Sequence, residues 1–170
     1  MNVLSRPSGD SIYLMQPLTD STAEVLKFNI KTGETVSLCK DAPYFSADTA
    51  MIEDIVDGRI VIHASDTREN DPEKIKRYHY AVDCETGEMT DLPLTYPMGE
   101  TTDFVQIAAD AGEFFVVNSG LERVKAVLNG SDGTPYETEI SMSAFSMISK
   151  SDYWSGQPNY IEIDHSAIAG

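Results

Sequence analysis

A chain of 170 residues with 41% apolar composition is long enough to bury one substantial core, and a single domain is the expectation. Its 28 acidic residues against 12 basic ones leave a net charge of −16. Such a surface repels phosphate backbones and anionic lipid, which sets nucleic acid aside as a partner and leaves a cation or a basic partner as the electrostatic alternatives.

Residues 1–7 hold no long apolar run, so neither a signal peptide nor membrane insertion is expected of this chain. Residues 6–10 read as a turn ending in Gly9-Asp10, with little room for a strand before the apolar signal at residues 11–14. Residues 23–30 then alternate, Val25, Lys27 and Asn29 against Leu26, Phe28 and Ile30, the period-2 pattern of a strand with one buried face. Thr32-Gly33 turns the chain and residues 35–38 return it. After a connection at 40–49, residues 51–56 and 59–63 flank Asp57-Gly58, a strong short hairpin signal. A polar loop at 65–73 leads to strands at 75–82 and 89–92 around Thr86-Gly87. Beyond a second long connection at 93–102, strands are expected at 104–108, 113–117, 123–128 and 136–140, the last two joined through Asp132-Gly133. Residues 144–149 and 160–163 form the remaining strands, on either side of a turn-rich stretch at 152–158. No segment sustains a 3.6-residue period, and the fold class read from this pattern is all-β.

One motif recurs. Lys27-Phe28-Asn29-Ile30-Lys31-Thr32-Gly33-Glu34 returns as Ala81-Val82-Asp83-Cys84-Glu85-Thr86-Gly87-Glu88, and more weakly as Val127-Leu128-Asn129-Gly130-Ser131-Asp132-Gly133-Thr134. The spacing of about 50 residues falls in the range of repeat architectures, and four antiparallel strands in such a unit is the pattern of a propeller blade. With Ile12-Tyr13 on an early strand and Asp83-Cys84-Glu85-Thr86-Gly87-Glu88 closing a hairpin, the chain resembles the TolB-like bacterial β-propeller repeat proteins. Asn29 replaces the aspartate in the first hairpin, and the third lacks the threonine.

The resemblance implies one all-β repeat domain over residues 1–170, with units at 1–40, 50–93 and 103–141 and a half unit at 144–165. That is a partial propeller of about three blades where closed ones have about 4–8. A β-sandwich is the alternative. The resemblance also implies a parent protein of the bacterial cell envelope or exterior, and an incomplete ring implies a second copy or the remainder of a larger propeller.

If strand direction alternates, the long connections 40–49, 65–73 and 93–102 gather at one end of the sheets and most tight glycine turns at the other. Binding residues favour long loops on a rigid scaffold. Tyr44, Phe45, Tyr96 and Met98 supply aromatic and soft apolar surface there, with Asp48 and Glu100 among the neighbouring carboxylates. These six are the candidate ligand-binding residues, suited to stacking on a sugar ring or holding a peptide. The competing reading packs the aromatics as ordinary core.

Residues 66–73 are rich in oxygen ligands but lack the order of an EF-hand loop, and Arg68 would repel a cation, so a solvated loop is expected. Asn129-Gly130-Ser131 fits a glycosylation acceptor and, equally, a turn. His63 and His79 fall on adjacent predicted strands, yet they and His165 read as structural or surface groups, since no third metal ligand can be named. Cys39 and Cys84 lack metal or redox spacing and read as small, partly buried free thiols, with a single bridge between them as the alternative. No nucleophile elbow, evident serine–base pair or phosphate-binding glycine loop is present. The expectation is therefore a non-catalytic recognition module for a protein or glycan, with no cofactor and no metal. The alternatives are a carboxylate-dependent glycan hydrolase or lyase, and a structural segment that associates with itself.

Overall fold

The computed structural model describes residues 4–68, 74–98 and 101–163, the side chains of Met98 and Thr101 excepted. The described chain is all-β but for one short helix, and its strands form four separate antiparallel sheets, three of four strands and one of two. It divides into two compact units, residues Met1–Pro93 and Leu94–Gly170.

The first unit holds two meander sheets. One runs β1 (Leu4–Ser8), β2 (Ser11–Pro17), β3 (Thr22–Asn29) and β4 (Thr35–Pro43). The other runs β5 (Ala50–Val56), β6 (Arg59–Asp66), β7 (Lys76–Asp83) and β8 (Met89–Asp91). A single core joins them: Tyr13, Met15, Ala23, Val25 and Tyr44 from the first region pack with Ile52, Ile60, Ile62, Tyr80 and Val82 from the second. Residues 6–8, expected in a turn, extend β1 instead. Pro7 is tolerated there because β1 is an edge strand bonded to β2 alone, so its missing N–H breaks no inner ladder.

In β3 the fully buried side chains are Ala23 and Val25, while Leu26 and Phe28 are half-buried and Ile30 is exposed. Lys27 shares the Val25 face by lying over Tyr13, its Nζ 6.0 Å from the ring centroid and donating to the Cys84 carbonyl at 3.4 Å. β6 is buried on both faces, Ile60, Ile62 and Ala64 toward the shared core and Val61 away from it, hence its continuous apolar run. Cys39 and Cys84 are free thiols, half-buried and buried, and burial raises the pKa of both.

The repeated motif folds the same way twice. Asp83 Oδ1 accepts from the N–H groups of Glu85 and Thr86 at 2.9 and 2.7 Å, and Gly87 N–H donates to the Asp83 carbonyl at 3.0 Å. Asn29 Oδ1 accepts from Lys31 and Thr32 at 2.9 and 3.0 Å, and Gly33 N–H donates to the Asn29 carbonyl at 2.9 Å. Both glycines take positive φ, 73° and 75°, as does Gly58 at 70°. The third copy departs: Gly133 N–H donates to Gly130 rather than to Asn129, so its turn is one residue tighter.

The second unit is built differently from the expectation. Residues 93–102, expected as a loop, contain the hairpin strands β9 (Thr95–Met98) and β10 (Thr101–Phe104). β11 (Gln106–Ala111) is followed by β12 (Phe114–Asn129) and β13 (Pro135–Ser149), long strands where the sequence suggested shorter separate ones. No glycine–aspartate turn interrupts either. At residues 118–120 the chain absorbs one extra residue as a β-bulge and continues paired. The stretch expected to be turn-rich contains helix α1 (Lys150–Ser155), capped by the Ser149 hydroxyl and closed by Gly156 at φ 70°. β14 (Tyr160–Glu162) completes the sheet against β13. Its core gathers Phe115, Tyr153 and Trp154 edge to face, with ring centroids 5.1 to 5.6 Å apart.

Candidate functional site

β5 carries a β-bulge. Ile52 pairs with Ile62 and Asp54 with Val61, so Glu53 is the extra residue. The sequence carries a trace of it, because Ile52 and Ile55 both reach the core at an odd spacing that a period-2 strand cannot give without an insertion. Arg6 on β1 donates to the carbonyls of Ile52 and Glu53 at the bulge and pairs with Asp54 at 3.0 Å. The bulge is thus fastened from the neighbouring sheet of the same unit.

Freed from the ladder, the Glu53 side chain reaches two imidazoles. His63 and His79 lie directly opposite each other on β6 and β7. Glu53 Oε2 is 3.0 Å from His79 Nε2, and Glu53 Oε1 is 3.9 Å from His63 Nδ1. The Ser65 hydroxyl is 3.2 Å from His63 Nε2. The His79 and Glu53 side chains are almost fully buried, 1% and 9% exposed, whereas His63 is 23% exposed and faces outward. The carboxylate therefore anchors the buried His79 imidazole and lies 3.9 Å from the less buried one of His63. Among the described residues no group of three or more His, Cys, Asp or Glu side chains is disposed to hold a metal ion.

His63 and Ser65 form one wall of an open cleft of about 640 Å³. Leu4 and Ser5 of β1, residues 47–49 of the β4–β5 connection, and Met51 and Thr67 complete most of its lining. The lining is mixed: apolar Leu4, Met51 and Ile52 beside Asp48, His63, Ser65 and Thr67.

Of the sequence candidates whose side chains are among the described residues, Asp48 alone lines this cleft, with an exposed carboxylate. Tyr44 is buried in the core of the first unit, where loss of water raises its hydroxyl pKa, with the Asp48 charge adding to the rise. Phe45 is half-buried, with its ring centroid 5.4 Å from that of Tyr78. The Arg68 guanidinium lies 5.1 Å over the Phe45 centroid and grips Asp66 with contacts of 2.7 and 2.6 Å. This pairing lowers the Asp66 carboxyl pKa to about 2. Of the oxygen-rich loop, residues 69–73 lie outside the described residues.

Tyr96 belongs to the second unit and is buried on β9, its pKa raised by burial and then by Asp103. Met98 closes β9, while its side chain, together with Glu100 and His165, lies outside the described residues. The sequence placed His63 and His79 on adjacent strands, as the register shows, but Glu53 and Ser65 were not joined to them, because a bulge brings the carboxylate in. The one local signal was the His-x-Ser spacing on β6, which puts His63 and Ser65 on the same face.

No family model matches the chain, and neither curated proteins nor solved structures yield a match. No helix among the described residues is long and apolar enough to cross a membrane.

Proposed function

We propose that the chain is a non-catalytic recognition module of a bacterial propeller-type protein, taking up a peptide or glycan segment in the cleft of its first unit. The carrying observation is the cleft itself: about 640 Å³, open, and lined by alternating apolar and hydrogen-bonding groups on a fastened scaffold. Leu4 and Met51 offer apolar contact, Ser65 and Thr67 offer hydroxyls, and Asp48 offers a carboxylate at the rim. Propeller-type construction is supported by two consecutive four-stranded meanders, the second closed by the Asp-x-x-Thr-Gly-Glu hairpin turn and the first by its Asn29 variant with the same hydrogen bonds.

The test is nuclear magnetic resonance titration with a panel of neutral oligosaccharides and short peptides. Saturable shifts at residues 47–52 and 63–67, with the ligand recovered unchanged, are the expected result. Saturation at other residues, or conversion of the ligand, would overturn the reading.

A hydrolytic reading has one observation in its favour, the sequence Ser65, His63, Glu53 in space. The 3.9 Å from Glu53 to His63 Nδ1 exceeds hydrogen-bond range, whereas the 3.0 Å contact to His79 lies within it. The carboxylate thus serves the buried imidazole first, and the recognition reading is preferred.

A further inference from the structure

The cleft of the first unit carries a charge that the protein leaves unanswered. Apart from the His63 imidazole, Asp48 is the one ionisable side chain among the described residues that line it, and it is exposed. The nearby bases are engaged elsewhere. Arg6, next to Ser5 of the lining, pairs with Asp54 at 3.0 Å and donates to the Ile52 and Glu53 carbonyls. Arg68, next to Thr67, pairs with Asp66 at 2.6 Å and lies over the Phe45 ring. Lys40, the nearest base to Asp48 in the sequence, lies 3.8 Å from Glu24. Asp48 therefore has no ion pair among the described residues. On a chain with a net charge of −16, the surrounding field adds to its pull on a cation from solution.

The rest of the lining narrows which cation fits. A metal ion finds no group of three or more His, Cys, Asp or Glu side chains among the described residues. An organic ammonium needs less: one carboxylate, a few hydroxyl oxygens and apolar surface for its stem. Ser5, Ser65 and Thr67 supply hydroxyls that accept from N–H groups, and Leu4 and the half-exposed Met51 supply apolar contact. A lysine side chain has that make-up, three donors on a flexible four-carbon stem.

We propose, building on recognition in this cleft, that its ligand is a peptide presenting a lysine side chain, with the ammonium against Asp48 and the stem along Leu4 and Met51. Charge decides between the occupants: a neutral glycan leaves the Asp48 carboxylate without a partner, and an acidic segment meets repulsion from it and from the chain as a whole.

Nuclear magnetic resonance titration at neutral pH tests this with four probes. They are a capped heptapeptide of alternating threonine and valine with lysine at its centre, the same peptide with norleucine for lysine, butylamine and cellohexaose. Norleucine keeps the stem and removes the charge. The lysine peptide is expected to saturate shifts at residues 47–52 and 63–67. It should bind at least about threefold more tightly than the norleucine peptide, the range of an exposed ion pair. In Asp48→Asn, which keeps the rest of the negative excess, that difference is expected to vanish, so the cycle separates the local contact from the field of the whole chain. Butylamine and cellohexaose are expected to bind more weakly than the lysine peptide.

Equal affinity of the lysine and norleucine peptides for wild type overturns the proposal while leaving recognition in the cleft intact, and this comparison needs no variant. Tighter saturation of the same residues by cellohexaose has the same consequence and makes a glycan the ligand. A lysine preference that survives in Asp48→Asn overturns the assignment to Asp48. Butylamine binding as tightly as the lysine peptide overturns the peptide source in favour of free amines. Absence of saturable shifts at these residues with every probe overturns both the proposal and recognition in the cleft.

Discussion

Gly87 and Gly33 occupy the same position in two copies of one turn, with φ of 73° and 75°, yet their surroundings differ sharply. A Cβ at Gly33 would meet nothing within 4 Å. A Cβ at Gly87 would lie 1.9 Å from the Leu38 carbonyl oxygen and 2.7 Å from its carbon, both backbone atoms of β4 in the facing sheet. Alanine at position 33 therefore carries the left-handed backbone cost alone, about 1–2 kcal/mol. Alanine at position 87 carries that cost plus the separation of two packed sheets, which adds about 1–3 kcal/mol by analogy with overpacked cores. Urea unfolding of Gly33→Ala and Gly87→Ala, followed by far-ultraviolet circular dichroism, gives the difference directly, with backbone strain cancelling between them. The expected result is that Gly87→Ala loses at least about 1 kcal/mol more. Equal losses would refute the argument that this turn clamps one sheet of the first unit to the other.

Removing the Glu53 carboxylate takes away the 3.0 Å hydrogen bond to the buried His79 imidazole, so Glu53→Ala should cost about 1–3 kcal/mol in the same assay, and a loss under about 1 kcal/mol would count against an anchoring role. The Asp83 carboxyl has a lowered pKa, because it accepts first from the Thr86 N–H and then from that of Glu85. A depressed carboxyl contributes stability above its unfolded pKa of about 3.9, and that contribution fades as pH falls through the folded value. Asp83→Asn keeps the acceptor without the titration, as Asn29 does, so its melting temperature should fall less steeply than wild type between about pH 4 and 2. Parallel profiles would exclude this. The Ser149 hydroxyl accepts from Asp152 N–H at 3.1 Å at the start of α1, so Ser149→Ala should destabilise the second unit by about 1 kcal/mol, read by the near-ultraviolet signal of Trp154.

Turn chemistry was the most legible part of the fold. Asp57-Gly58, Thr32-Gly33 and Thr86-Gly87 each demand a backbone conformation that only a few residues adopt freely, so the strands on either side are located by their ends. Where the chain continues without such a residue, as at the bulge between Asn118 and Gly120, the pattern suggested a break and the strand simply ran on. Helix α1 escaped notice because six residues cannot display a 3.6-residue period, although Ser149 and Gly156 mark its ends.

The fate of the aromatic candidates follows similar logic. An aromatic in a connection reads alike whether the connection folds inward or outward, and Tyr44 folds inward onto the core. The adjacency of the His63 and His79 strands was legible, whereas the carboxylate between them depends on the bulge at Glu53, which a period-2 pattern does not display.

The meander order of the first unit bears on how the chain is made. Every strand in its two sheets pairs with the strand before or after it, so ladders can close in the order in which the residues leave the ribosome. The clasp between the sheets comes last, because Gly87 must arrive before its turn can seat against Leu38. Until the second sheet supplies Ile52, Ile60, Ile62 and Tyr80, the nascent first sheet carries Tyr13, Met15 and Val25 uncovered. The interval between synthesis of residue 43 and residue 80 is the window in which a chaperone would find it.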